Sequence, residues 1–232
     1  ALIEWAANTE RTMVLEAAAN LYEDIHGTPK MSRPAFITSV QKRLTGEKAH
    51  KRELAKAGEI GSQVHSIIEW NLRKSLKQII GPEPQISHEA KIAFTSFQKW
   101  AAEVELRPEV IEQVVFSRKH GYAGTLDLIA MVNHEGIRRK ALIDFKTGKA
   151  IYPEAFLQNA AYQVALYEMG HGAPDIGMIV RLPKTTVDPD FEVAVVPDWD
   201  ELFAVFECVK GLFLWSSVEE AKRLEAWKTK QA

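Results

Sequence analysis

The sequence predicts an α/β protein with a mixed central β-sheet of about five strands, and three patterns predict it. Apolar residues recur at helical spacing through roughly the first 106 residues. Three strand-like runs then follow in meander order. A helix, two further strands and a long terminal helix complete the chain, so one connection in the sheet must cross over. Taken in order, Leu2 to Ile25 is helical in period and stops at His26-Gly27-Thr28-Pro29. Ser32-Arg33-Pro34 opens a second helix, with the proline in its first turn. A long helix is expected from about Lys48 to Ile80, ended by Gly81-Pro82 and interrupted by Gly58 and Gly61. Ser87 to Leu106 is the next, with Ser87 as N-cap to the Ala90 amide.

Val110 to Arg118, Thr125 to Val132 and Arg138 to Lys146 are the meander strands, the last two joined by the turn Asn133-His134-Glu135-Gly136. Pro153 to Met169 is a helix with proline at its start and Gly170 beyond its end. Ile176 to Leu182 and Phe191 to Val196 are strands linked through Pro183 and Pro189, and Trp199 to about Lys228 is the terminal helix. A single domain is expected over 1–232, with a helical portion at 1–106 and an α/β core with C-terminal helix at 107–232.

Composition bounds what the fold can do. At 46% hydrophobic and 26% charged, the 232 residues have the make-up of a soluble globular protein. A net charge of −2 gives no global attraction for nucleic acid, so any such contact must use local basic patches. The single cysteine, Cys208, excludes an internal disulfide and a multi-cysteine zinc or iron–sulfur site; its apolar helical setting predicts a buried thiol. No run reaches the length of a membrane span and no signal peptide is visible, so a cytoplasmic location is the simplest expectation. The chain begins at Ala1 without a Met, so residues upstream are expected.

The chemistry centres on Asp144-Phe145-Lys146, at the end of one apolar strand, and on Asp127, seventeen residues earlier in the partner strand. In an extended strand Asp144 and Lys146 face the same way, roughly 6.6 Å apart at Cα. Pairing through the hairpin allows Asp127 to sit beside Asp144. Charges within apolar strands are costly unless paired or metal-bound. Two acids and a lysine so placed are what metal-assisted phosphodiester hydrolysis needs. The same strands alone also fit a surface hairpin with an Asp–Lys ion pair.

Four further features accompany them. Gly58, Gly61, His65 and Glu69 share one helical face; the glycines allow close backbone approach and His65 is a potential metal ligand, or an ordinary histidine of an amphipathic helix. Glu112, and less so Glu109, lie on the first strand, where an acid can face the same edge as Asp127 or simply be exposed. Gln158 and Tyr162 share a face of the crossover helix and could orient the lysine, a phosphate or a base; Gln163 and Tyr167 repeat the spacing one turn on. Lys48, Lys51, Arg52 and Lys56, then Lys146 with Lys149, then Arg181 with Lys184, are positive groups for which phosphate contact and a solvated surface are the two readings.

In this order, Gly…His-x-x-x-Glu, Glu112, Gly124-Thr125-Leu126-Asp127, Asp144-Phe145-Lys146-Thr147-Gly148-Lys149 and Gln158-x-x-x-Tyr162 resemble the PD-(D/E)XK nuclease superfamily in its RecB-like exonuclease branch, phage-encoded members included. The resemblance covers about residues 57 to 182. It implies a restriction-endonuclease-like core in which His65, Asp127, Asp144 and the Phe145 carbonyl ligate one or two magnesium or manganese ions. It implies that Lys146 is the catalytic lysine, Glu112 an accessory acid that binds metal directly or through water, and Gln158 and Tyr162 supports for the lysine and the DNA. Glu69, Lys56, Lys149 and Arg181 are expected near the substrate. Some relatives carry four cysteines for an iron–sulfur cluster, which this chain lacks. The expected partner is DNA, single-stranded or with ends, in phage or bacterial recombination, repair or replication, alongside phage or host recombination proteins. A structure-specific endonuclease of the same fold and a non-catalytic nucleic-acid-binding module are the rivals. An NTP-using enzyme is disfavoured because no phosphate-binding Gly-x-x-x-x-Gly-Lys-Ser/Thr loop is present.

Overall fold

The computed structural model describes residues 49–78 and 81–231, so the two helices expected before residue 48 lie outside the described residues. The chain divides into two compact units, 1–59 and 60–232. The described part of the first is the opening of helix α1 (Ala49–Ser75). The sheet and every other described element belong to the second.

Helix α1 runs unbroken through Gly58 and Gly61 and stops at Ser75, five residues short of the expected end. Lys77 takes a left-handed backbone (φ 56) and the Gln78 amide turns back onto the Arg73 carbonyl at 3.1 Å. Helix α2 (His88–Glu103) begins as expected, the Ser87 hydroxyl accepting from the Ala90 amide at 3.2 Å. It ends early because Glu105 is left-handed (φ 49) and the Leu106 amide reaches back to the Ala101 carbonyl at 2.9 Å.

Strands β1 (Arg107–Ser117), β2 (Tyr122–His134) and β3 (Ile137–Lys146) form the antiparallel meander. Glu135 (φ 52) and Gly136 (φ 75) make the two-residue turn between the paired His134 and Ile137, with both turn residues left-handed as a right-twisted hairpin requires. Helix α3 (Pro153–Glu168) then crosses over, so β4 (Ile176–Arg181) lies parallel to β3. Strand β5 (Glu192–Val196) closes the far edge antiparallel to β4, and the sheet order is β1-β2-β3-β4-β5. The mixed five-stranded α/β sheet is as the sequence predicts. Helix α4 (Trp199–Gln231) follows. Among the described residues no helix is long and apolar enough to cross a membrane.

Alternation along β3 sorts its residues into two layers. Ala141, Ile143 and Phe145 join Val64, Ile68, Phe97 and Trp100 in the core beneath α1 and α2. The Phe145 ring meets Phe97 and Trp100 edge-on, with centroids 5.4 and 5.8 Å away. Leu142 faces the other way, with Leu126, Val115 and the α3 residues Tyr162, Ala165 and Leu166. Asp144 and Lys146 share that second face. The same period that buries Phe145 therefore turns the acid and the lysine toward α3.

Helix α3 lies close on the sheet because two strand positions carry no side chain. A Cβ on Gly177 of β4 would run into Asn159 Oδ1, and into Gln163 Nε2 at 2.7 Å. There Gln163 donates to Asn159 Oδ1 at 3.0 Å and Asn159 donates to the Leu142 carbonyl at 3.2 Å, so the buried amides are paired. Gly177→Ala is expected to destabilise the fold by about 1–3 kcal/mol, read by denaturant unfolding; a neutral result would show that α3 does not need this close approach. The second Gln-x-x-x-Tyr spacing is thereby explained as packing: Gln163 is buried in this pair, while Tyr167 is exposed.

Phe203 and Phe206 of α4 pack against Tyr122 of β2. Lys210 reaches Glu207 at 2.6 Å, and also the His120 carbonyl of the β1–β2 turn. Cys208 lies off this packed face and is exposed, contrary to the buried thiol its apolar neighbours predict.

Candidate active site

The site forms where β2 and β3 part. Their ladder ends at Leu128 and Ile143, one step short of Asp127 and Asp144. Beyond that step the Asp127 side chain stands in for the missing backbone partner: its Oδ2 accepts the Phe145 amide at 2.7 Å. The other carboxylate oxygen, Oδ1, is 3.4 Å from His65 Nδ1. Gly61 gives α1 its approach to this point, since an added Cβ would lie 3.3 Å from Thr147 Oγ1, just past β3. At Gly58 an added Cβ would meet no atom within 4 Å, so close packing does not account for that glycine.

Glu112 completes the group. The β1–β2 register shifts between Pro108 and Val110, and the pairs Ile111–Leu128 and Gln113–Leu126 frame Glu112 opposite Asp127. Glu112 itself is left-handed (φ 49), a conformation that costs a non-glycine residue about 1–2 kcal/mol and breaks the strand geometry there. The strain brings its carboxylate to the other two: ligating atoms of His65, Glu112 and Asp127 all lie within 4.8 Å of one another, a group that could hold a metal ion.

Asp144 and Lys146 stand beside this group. Asp144 is 3% exposed, and its Oδ2 lies 2.8 Å from Lys146 Nζ in an ion-pair contact of poor hydrogen-bond alignment. The aligned donation from Lys146 goes to Gln158 Oε1 at 2.8 Å, and Gln158 Nε2 in turn donates to the Tyr162 hydroxyl at 2.9 Å. A lysine, an amide and a phenol thus form one chain from β3 to successive turns of α3.

Gly124 makes room for the end of that chain. A Cβ on Gly124 would lie 2.6 Å from Tyr162 Cε1 and 2.8 Å from its hydroxyl. The glycine three residues before Asp127 is therefore a seat for the Tyr162 ring. Its place in the Gly-x-x-Asp motif was legible from the sequence, but its job was not. Gly124→Ala is expected to displace Tyr162 and, through Gln158, loosen Lys146. Denaturant unfolding should show a loss of about 1–3 kcal/mol, with circular dichroism reporting a retained fold.

The electrostatics are those of crowded acids. Burial pushes the Glu112 carboxyl up to about 7, the Asp127 charge adding to it while His65 opposes. Burial likewise raises Asp144 to about 6, with the Asp127 charge adding and Lys146 opposing. Burial alone would lower His65, but its hydrogen bond to Asp127 and the charges of Asp127, Asp144 and Glu112 outweigh it and leave the imidazole raised. Burial keeps Tyr162 a neutral phenol; its bond with Gln158 opposes that shift and the acids reinforce it. A cation among these groups would relieve the repulsion.

The remaining candidates fall into different places. Glu69 is paired with Arg73 at 2.7 Å, and Arg73 also donates to the Ile111 carbonyl at 3.3 Å, next to Glu112. Arg73 was not singled out from the sequence, although its i+4 spacing from Glu69 is visible there. Glu109 pairs with Lys140 at 2.9 Å, away from the group. Lys56 belongs to the 1–59 unit and is exposed on α1. Lys149 is exposed in the loop after β3.

Arg181 corrects an expectation. It is 1% exposed, with Nε on Glu192 at 3.0 Å and Nη2 on the Pro189 and Asp190 carbonyls at 3.1 and 2.6 Å. Its guanidinium ties down the β4–β5 connection and is not presented to a substrate. His65, Glu112 and Asp127 bring their ligating atoms together, Lys146 engages Asp144, and Phe145 contributes a buried ring and an amide bonded to Asp127.

The fold and site together define an α/β protein that presents a histidine–carboxylate donor group next to a carboxylate–lysine pair. No family model matches the sequence, and no curated protein matches it. Among solved structures the chain is similar to a protein of Eubacterium rectale provisionally named an exonuclease, at 16% identity and a TM-score of 0.45, covering 83% of this chain and 77% of that one. It is also similar to SSO0001, at 12% identity and a TM-score of 0.29, covering 67% of this chain and 74% of that one.

Proposed function

We propose that the protein is a metal-dependent deoxyribonuclease of the PD-(D/E)XK type that hydrolyses phosphodiester bonds from DNA ends. The observation that carries this reading is the adjacency of two sets: the donors His65, Glu112 and Asp127 on one side, and Asp144, Lys146, Gln158 and Tyr162 on the other. Oxygen and imidazole donors without a thiolate suit magnesium or manganese. A divalent cation held there supplies Lewis-acid polarisation of the phosphoryl group and a water activated for attack.

The protein's own groups do the rest. Asp127 fixes the His65 ring and, through the Phe145 amide, the start of the Asp-Phe-Lys segment. Lys146 presents an ammonium group to the phosphate, offsetting charge that builds on its oxygens. Asp144 and Gln158 hold that ammonium from two directions, so it is positioned before substrate arrives. Tyr162 fixes the Gln158 amide by accepting from its nitrogen and leaving its oxygen for the lysine.

Incubation with linear and covalently closed circular DNA tests the reading. Magnesium or manganese should support loss of the linear form, EDTA should stop it, and the circle should persist. Cutting of the circle would reassign the protein as an endonuclease of the same chemistry. No cutting of either form with any divalent ion would overturn the proposal.

A further inference from the structure

We infer that the rim beyond the carboxyl ends of β3 and β4 is a platform for an unpaired strand, with the Tyr152 ring stacking on a base and Lys149 and Lys184 meeting the adjoining phosphates. This rests on the nuclease reading and names the form of nucleic acid that the site takes.

Strands β3 and β4 leave the sheet side by side: Lys146 pairs with Arg181, and the Leu182 amide bonds the Lys146 carbonyl at 2.7 Å. The segments after them, 147–152 and 182–188, are therefore neighbours. Carboxyl ends of parallel strands at a crossover are where open α/β sheets present ligand-binding loops. A Cβ on Gly148 would lie 3.6 Å from Tyr152 Cε2, so the ring sits against Gly148, two residues past Lys146.

Folding does not account for Tyr152. It occupies the N-cap of α3, where Ser, Thr, Asp or Asn would be favoured, and it makes no side-chain cap. Tyr152 is 55% exposed. Lys149 stands three residues before it, and Lys184 lies on the neighbouring segment after β4. Burial pulls the Lys184 ammonium below the usual lysine range; Asp188 opposes this and the charge of Lys149 adds to it. Two lysines on adjoining segments, one of them three residues from an exposed aromatic ring, suit a polyanion with flat rings. With a net charge of −2, the chain has no general attraction for DNA, so local groups of this kind must supply the contact.

The geometry selects an unpaired strand because a stacking ring needs the open face of a base. Bases inside a duplex have both faces covered. A single strand offers that face along its length.

Steady-state cleavage of a labelled single strand of about 20 nucleotides in magnesium, set against a blunt duplex of equal length, is the test. Tyr152→Ala should raise KM for the single strand by about tenfold with kcat retained, and should leave the duplex KM unchanged. Tyr152→Phe should behave as wild type, because the ring and not the hydroxyl is used. Tyr167→Ala, at the opposite end of the same helix, should change nothing. Lys184→Gln should raise KM and reduce the log–log salt dependence of KM by about 0.7. An unchanged single-strand KM in Tyr152→Ala, an equal loss in Tyr152→Phe, or the same loss on both substrates would overturn the platform while leaving the nuclease reading intact. If wild-type protein cleaves neither substrate, the nuclease reading falls and the platform falls with it.

Discussion

Asp127→Asn should lower cleavage by on the order of 10³-fold or more and leave the protein folded. Asp127 meets two demands that this substitution separates. Its Oδ1 faces His65 within the donor group, where a negative charge is needed to hold a cation. Its Oδ2 accepts the Phe145 amide where the β2–β3 ladder has ended, which any carbonyl oxygen can do. Asparagine keeps that acceptor and removes the charge. Asp127→Ala removes both, stranding the Phe145 amide at about 1–3 kcal/mol in addition to the lost activity. The paired measurement is single-turnover cleavage with denaturant unfolding. Full activity in Asp127→Asn would remove this carboxylate from the chemistry, whereas equal unfolding in the two variants would mean that the amide bond contributes nothing to the fold.

The second large effect is a dependence of stability on pH that a divalent ion reverses. Glu112 rises from 4.5 to about 7 and Asp144 from 3.8 to about 6, and His65 is also raised. For each, the folded state binds protons more tightly than the unfolded state. The stability they contribute is present below the unfolded values and is lost as pH rises through the folded ones. In EDTA the melting temperature should therefore fall between about pH 4.5 and 7 because of these groups. Glu112→Gln should flatten the upper part of that fall. A divalent ion needs the deprotonated donors, so the rise in melting temperature that it gives should grow from pH 5 to pH 8. A pH-independent metal shift, or a Glu112→Gln profile parallel to wild type, would remove Glu112 from the donor group.

Much of this arrangement was legible in the sequence. The order of strands and the crossover helix followed from apolar period and from punctuation by Gly and Pro, because those signals are local. Ser87 as a cap and a hairpin turn within Asn133-His134-Glu135-Gly136 were readable for the same reason, although Asn133 and His134 pair within the strands. The facing of Asp144 and Lys146 toward α3 follows from the two-residue period once Phe145 is placed in the core. The Lys146–Gln158–Tyr162 chain was partly legible, since i and i+4 positions share a helix face.

What escaped depends on tertiary geometry. The ends of α1 and α2 were overrun because left-handed Lys77 and Glu105 carry no glycine to announce them. Glu112 joins His65 and Asp127 through a backbone conformation that no sequence pattern at that position signals. Gly124 and Gly177 matter for what lies above them on α3, some forty and twenty residues away respectively in the chain. Arg181 resembles a phosphate contact in sequence, since a charged residue ending a strand is usually exposed. Its burial follows from the β4–β5 connection folding over it and supplying two carbonyls.

The central claim is that a cation sits among His65, Glu112 and Asp127, with Lys146 beside it. A crystal of the protein grown with manganese, with anomalous scattering recorded from that ion, tests it most directly. The account predicts a peak bonded to His65 Nδ1 or Nε2 and to oxygens of Glu112 and Asp127, lost in Glu112→Gln or much weakened. A map with no peak there at millimolar manganese, or with manganese bound only elsewhere, would contradict it.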